Sequence, residues 1–273
     1  MNEIPRPDLL RRRLLATGGA VLAPVAAVAQ APAAATTAAR LPLTAQTTEG
    51  PYYLDGMPLR SDITEGLPGV PLEIVFTVRD ADGRPLKGCR VDVWQCDAAG
   101  RYSGYAGQGD DRTVDLVGKT FLRGGQVSDD GGEVRFRSVY PGWYPGRTTH
   151  VHMKVLNDGA ALLTSQFFLP DGLNEFLYTQ TPQYRRRGVR DVVNRTDGIA
   201  LRAGESVIGA VQELPDRYVA RLTLVVDPQG RPSDQRPGMP MPPALRTGSG
   251  RRALPPAEGA GRVGMLVPGP TKP

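Results

Sequence analysis

The stretch Trp143-Tyr144-Pro145-Gly146-Arg147-Thr148-Thr149-His150-Val151-His152 holds the only two histidines in a chain of 273 residues. From His150 onward the pattern is that of a β-strand: Val151, Met153 and Val155 alternate with His150, His152 and Lys154, which points both imidazoles to one face. Two imidazoles on one face can share a metal ion. A phenol, Tyr144, and a cation, Arg147, lie just upstream in a turn built on Pro145 and Gly146. Ten residues therefore bring together two neutral nitrogen donors, one hard oxygen donor and a positive charge.

The strand reading extends in both directions. Leu72 to Arg79 alternates Ile74, Phe76 and Val78 against Glu73, Val75 and Thr77. Asp82-Gly83 is a hairpin signal before a strand from Cys89 to Cys96, so the domain is expected to open with a β-hairpin. Asp129-Asp130-Gly131-Gly132 is a second hairpin signal, leading into Val134, Phe136 and Ser138. Asn157-Asp158-Gly159 turns the chain after the histidine strand into Leu162 to Leu169, where Thr164, Gln166 and Phe168 share a face. Asn174 to Thr179 is expected to be a helical turn, Gln183 to Asn194 a basic loop, and Arg217 to Val226 the last strand. Many short strands at turn spacing with little helix predict an all-β fold, an antiparallel β-sandwich with long loops around the site.

Charge is partitioned by region. The formal net charge is +5, yet residues 1–29 hold four basic and two acidic side chains and residues 229–273 hold seven and two, leaving 22 basic against 24 acidic between them. The body is slightly acidic and carries no footprint for a phosphate backbone, which excludes nucleic acid as a partner. Residues 1–29 read as an export signal. Arg11-Arg12-Arg13-Leu14-Leu15 precedes a Gly/Ala-rich apolar run ending at Ala27-Val28-Ala29, too short to cross a membrane and similar to a twin-arginine signal for the periplasm. Residues 30–47, rich in Ala and Thr, are expected to be a disordered leader, residues 48–228 the folded domain, and residues 229–273, rich in Pro, Gly and Arg, a loose tail. Cys89 and Cys96 lie seven positions apart on one expected strand, so they face opposite sides and are read as two buried thiols.

The residue types constrain the metal. Zinc sites usually add thiolate, carboxylate or a third histidine to a histidine pair, and no third histidine exists. Asp129, Asp130 and Glu133 sit in a turn signal that accounts for them without a metal. A phenolate is a hard anionic donor, and Tyr144 beside the pair favours a ferric ion.

Four separated motifs, in order, resemble the intradiol ring-cleavage dioxygenases, nearest to the protocatechuate 3,4-dioxygenase branch. They are Thr48-Glu49-Gly50-Pro51-Tyr52-Tyr53, Val93-Trp94-Gln95-Cys96-Asp97 with Gly100-Arg101-Tyr102-Ser103, Pro141-Gly142-Trp143-Tyr144-Pro145, and Arg147 with His150-Val151-His152. The resemblance runs from about residue 48 to about residue 226. It implies non-haem Fe(III) held by Tyr102, Tyr144, His150 and His152, with Tyr144 doubling as a base and Arg147 and Gln166 stabilising developing negative charge. It also implies a catecholic substrate and dioxygen as partners, a cis,cis-muconate-type diacid as product, and a homo- or hetero-oligomer as a compatible assembly. Tyr52 and Tyr53 stand with Arg147 as candidate substrate contacts. The interval from Tyr144 to His150 is shorter than in better-known members, which predicts a more open pocket. The absence of a helical segment before Thr48 points away from the catechol 1,2-dioxygenase branch. Two other readings compete: a non-catalytic periplasmic β-sandwich that binds ligands through its loops, and a zinc or copper hydrolase using the same histidines.

Overall fold

The computed structural model describes residues 39–186, 188–230 and 258–266. The chain divides into two compact units, residues 1–37 and 38–273. The first unit, with the expected export signal, lies outside the described residues, as does most of the expected tail.

Among the described residues, eight strands form two four-stranded sheets. The strands are β1 (Pro71–Arg79), β2 (Arg90–Trp94), β3 (Arg123–Val127), β4 (Glu133–Val139), β5 (His150–Asn157), β6 (Ala160–Phe168), β7 (Ala210–Glu213) and β8 (Tyr218–Val225). One sheet has the order β4-β1-β8-β7 and the other β3-β2-β5-β6. All pairings are antiparallel except β1 with β8. Three α-helices are present among the described residues: α1 (Asp171–Gln180), α2 (Gly198–Ala203) and α3 (Gly259–Leu266). None is long and apolar enough to cross a membrane.

The period-2 pattern decides which face of each strand is buried between the sheets. Leu72, Ile74, Phe76 and Val78 of β1 and Val134 and Phe136 of β4 meet Val91 and Val93 of β2, Val151, Met153 and Val155 of β5, and Leu163 and Phe167 of β6 in one core. Each such side chain contributes about 1.5–3 kcal/mol through burial. The alternate residues of the second sheet point the other way: Asp92 and Trp94 on β2, His150 and His152 on β5, and Gln166 and Phe168 on β6. Register aligns them, because His152 pairs with Trp94 on one side and Gln166 on the other, while His150 pairs with Phe168. The histidine face is thus an outer face of the sandwich, and it is buried by loops rather than by the opposing sheet.

The hairpin at Asn157–Gly159 joins β5 to β6 as its turn residues predict. The other two hairpin signals do not join paired strands. At Asp80–Arg84 the carboxylate of Asp80 accepts from the backbone of Asp82 and Arg84, and Leu86 N donates to Val78 O, so the turn forms. The chain then leaves β1 and enters β2 in the opposite sheet. Asp129 caps its own turn in the same way, yet β3 and β4 also lie in different sheets. These turns are corners of the sandwich. Turn chemistry reverses the chain locally and does not choose the sheet that the next strand joins.

Two further expectations change. Residues 39–47, expected as part of a disordered leader, are tied down: Leu41 N donates to Ala81 O, Thr44 N to Val225 O and Thr47 N to Thr164 O. The region expected as tail contains α3, whose Arg262 is buried and ion-paired to Glu175 of α1 at 2.6 Å. Cys89 and Cys96 are free and buried.

Candidate metal centre

Two glycines bring together loops that are distant in sequence. Gly100 has φ +78°, and a Cβ there would overlap the carbonyl of Trp143; a Cβ on Gly142 would overlap the carbonyl of Ala98. Gly142 N also donates to Asp97 O at 3.0 Å. The loop after β2 therefore lies directly against the turn before β5, and Tyr102 reaches Tyr144. Asp97 stiffens the first loop by accepting from the backbone of Ala99 and Arg101 and from the Arg101 guanidinium. Gln108 accepts from Tyr102 N at 2.9 Å.

Four side chains converge. Nε2 of His150 lies 3.1 Å from Nε2 of His152, 3.1 Å from Oη of Tyr144 and 3.4 Å from Oη of Tyr102. Nδ1 of His150 is 2.6 Å from Thr148 O, where it must donate, so its Nε2 presents a lone pair. That single lone pair faces three polar atoms at once, which is more than it can satisfy. Nδ1 of His152 is buried without a hydrogen-bond partner among the described residues. Burial, reinforced by Arg147, lowers the His150 pKa to about 3, and burial with His150 beside it keeps His152 well below its usual value. Both rings are neutral. Burial pushes both phenols upward, so neither ionises without a nearby counter-charge.

This donor set fits a hard trivalent cation. Two neutral imidazoles and two phenols that become anionic when a cation approaches supply four ligands and two negative charges. Among the described residues no group of three or more His, Cys, Asp or Glu could hold a metal. Asp129, Asp130 and Glu133 are engaged within and beside their turn, with Asp130 bound to Lys87 and Glu133 to Arg135.

Arg147 flanks the cluster. Its Nε donates to Oδ2 of Asp197 at 2.8 Å and its Nη2 to Oε1 of Gln166 at 2.6 Å, while Nε2 of Gln166 donates to Thr48 O. Burial opposes the Arg147 charge, but Tyr144 and Asp197 outweigh it and hold the guanidinium protonated. Tyr52 stacks on Tyr102 with centroids 4.3 Å apart. Tyr53 lies one layer back: its ring meets Trp94 and the Lys154 ammonium, and its hydroxyl donates to Asp92. Trp94 in turn stacks on His152 at 4.7 Å and 11°.

Three contributors are not apparent from the sequence. Asp197 lies fifty residues after Arg147 and is marked only as part of an Asp-Gly step. Arg123 is almost wholly buried and binds the carbonyls of Tyr52 and Ser103 and the Ser103 hydroxyl. Trp94 lies within a recognised motif, yet only the register reveals its stack on His152. The segment expected as a solvated basic loop is also different. Arg190 is 1% exposed and paired with Asp171 at 2.5 Å, and Arg186 lies over the Trp143 ring and pairs with Asp110. These arginines anchor the segment behind the site.

A family model described as Dioxygenase matches residues 48–175. The chain is 28% identical over 208 residues to the catechol 1,2-dioxygenase of Acinetobacter baylyi, covering 67% of this chain and 63% of that protein. It is 34% identical over 147 residues to the protocatechuate 3,4-dioxygenase beta chain of Burkholderia cepacia, covering 47% and 61%. The chain thus spans less than two thirds of the length of these curated relatives. Among solved structures, the intradiol ring-cleavage dioxygenase from Tetranychus urticae superposes with a TM-score of 0.63 at 29% identity, over 70% of this chain and 97% of that one. In part of its sequence and in fold, the chain is similar to intradiol ring-cleavage dioxygenases.

Proposed function

We propose that the chain is a non-haem Fe(III) dioxygenase that opens a catecholic ring between its two hydroxyls with dioxygen, giving a cis,cis-muconate-type diacid. The observation that carries this reading is the convergence of Tyr102, Tyr144, His150 and His152 beside Arg147. When bound there, ferric iron would supply the Lewis acidity that draws in both catechol oxygens as anions.

The chain's own residues have separable tasks. Tyr144 is only partly exposed and is the phenol placed to take a substrate proton at its Oη. Arg147 is gripped at Nε and Nη2, and its Nη1 carries no hydrogen bond among the described residues, leaving one edge to face charge that develops on the ring. Gln166 and Thr48 hold that guanidinium from the strand side. Tyr52, stacked on Tyr102, forms a wall, and Tyr53 supports His152 from behind through Trp94. On this reading the six-residue interval from Tyr144 to His150 gives a more open rim, and with it a substrate other than the family's usual one. Export through a twin-arginine signal fits this reading, because that route carries folded proteins with their metal already bound.

The test is spectroscopic and kinetic. Full-length protein reconstituted with ferric ion should turn red to burgundy through tyrosinate charge transfer. It should also consume oxygen with at least one of catechol, chlorocatechol, protocatechuate or hydroxyquinol. Tyr144→Phe should shift the colour and leave the fold intact. A protein that stays colourless after reconstitution would overturn the reading, and coloured protein without oxygen uptake would favour the ligand-binding module.

A further inference from the structure

Asp197 has two tasks that the same carboxylate performs with different oxygens. Oδ1 accepts from Ile199 N at 2.8 Å and Ala200 N at 3.1 Å, which caps α2. Oδ2 accepts from Arg147 Nε at 2.8 Å and from Thr148 N at 3.0 Å. Capping alone needs only the first oxygen. The second points at the candidate metal centre from a residue that touches none of its four donors.

What Oδ2 holds bears on two functional groups at once. Thr148 is fixed at every polar atom: its amide by Asp197, its hydroxyl by Asn194 at 2.8 Å, and its carbonyl by Nδ1 of His150 at 2.6 Å. The position of that carbonyl decides which nitrogen of His150 carries the proton, and hence that Nε2 offers a lone pair. On the other side, Arg147 is held between Asp197 and Gln166, and only Nη1 is left uncommitted. Asp197 is buried, so the ion pair with Arg147 is shielded from solvent.

We propose that Asp197 is a positioning residue, with Oδ2 setting both the aim of the Arg147 guanidinium and the His150 tautomer through Thr148. It deepens the ferric reading above; its activity and ferric-retention arms rest on that reading, and its proton-exchange arm does not. Asparagine is the informative replacement because it is a good helix cap and nearly isosteric. It has a single acceptor oxygen, so it can serve the α2 amides or the Arg147 and Thr148 donors, never both.

The experiment uses the full-length protein as wild type, Asp197→Asn, Arg147→Gln and the double variant. With only two histidines in the chain, ring-¹⁵N-histidine labelling gives four nitrogen signals, and the pair with the Nδ1–H pattern and slow proton exchange belongs to His150. In Asp197→Asn that proton should exchange about 10-fold faster, and ferric ion should be lost to a chelator about 10-fold more readily. The kcat for oxygen uptake should fall about 10- to 100-fold, and this loss should not add to that of Arg147→Gln. Asp197 is a cap and nothing more if Asp197→Asn lowers only the melting temperature while proton exchange, ferric retention and kcat stay at wild-type values. Additive losses in the double variant would also overturn the proposal. Should the wild type bind ferric ion and oxidise no catechol, the dioxygenase reading fails while exchange and ferric retention still decide the role of Asp197. Should it bind no ferric ion, the exchange arm decides alone.

Discussion

Two arginines, Arg123 buried and Arg147 largely so, flank the candidate metal centre, and they are treated oppositely. Arg147 has a carboxylate, Asp197, and an amide, Gln166, and its charge is reinforced. Arg123 has carbonyls, one hydroxyl and the face of the Tyr105 ring, with no carboxylate partner among the described residues. Burial lowers its pKa to about 10. A guanidinium does not release its proton in a protein, so the cause of this depression, burial without a carboxylate partner, is a cost the fold carries. The arrangement teaches that the two cations serve different ends. On the dioxygenase reading proposed above, Arg147 is a charge kept for chemistry; Arg123 is a clamp that joins the Tyr52 backbone to the Ser103 backbone. The clamp fixes the stack of Tyr52 on Tyr102.

The largest expected effect is on the chemical side of this pair. Arg147→Gln should leave the fold and ferric colour in place and lower kcat for oxygen uptake by about 10²- to 10³-fold, equivalent to about 3–4 kcal/mol of lost transition-state stabilisation. A matching loss of thermal stability would break the comparison, because Arg147 would then be as structural as Arg123. The next effect is the mirror image. Arg123→Met removes the clamp and leaves the carbonyls of Tyr52 and Ser103 unpaired, at about 1–3 kcal/mol for each buried acceptor. Denaturant unfolding should show a loss of about 3 kcal/mol, with Tyr102 ligation weakened and residual activity proportional to the folded, ferric fraction. If Arg123→Met were as stable as wild type, the clamp would be idle.

The same contrast explains what was legible in the sequence. The histidine face, the β5–β6 hairpin and the inward set Val151, Met153 and Val155 follow from a period of two, which any observer of the sequence can count. The four converging donors follow from motif order. Arg123 and Asp197 are invisible to both methods, since a clamp made to carbonyls leaves no pattern in side-chain chemistry and an ion pair fifty residues apart leaves no spacing. The sandwich corners at Asp80–Arg84 and Asp129–Glu133 look like hairpins in sequence for a related reason: their turn residues encode a reversal, while sheet choice depends on which apolar face the following strand can bury. Arg186 and Arg190 look like a solvated run because composition counts their charges and not the aromatic ring and carboxylates waiting for them. α3 and residues 39–47 are stabilised by partners elsewhere in the fold, Glu175 and the backbones of Ala81, Val225 and Thr164, so their own composition misleads.

The smallest effect separates the charge of Asp197 from its role as a cap. Burial opposes its ionisation, but Arg147 and the hydrogen bonds from Arg147, Thr148 and Ala200 prevail and hold the carboxyl below its ordinary value. A carboxylate depressed in the folded state contributes stability that is present above its unfolded pKa of about 3.9 and is lost as pH falls through the lower folded value. Asp197→Asn has no such titration. The stability gap between wild type and Asp197→Asn, measured by urea unfolding, should therefore be constant from pH 7 to about pH 5 and close as the pH falls below about 4. A cap works through hydrogen bonds that asparagine largely retains, so a purely capping residue would show a small gap that does not depend on pH. A gap that closes on acidification would mark the Arg147 ion pair as the stabilising partner, and would place the difference between the two arginines in the carboxylate that only one of them has.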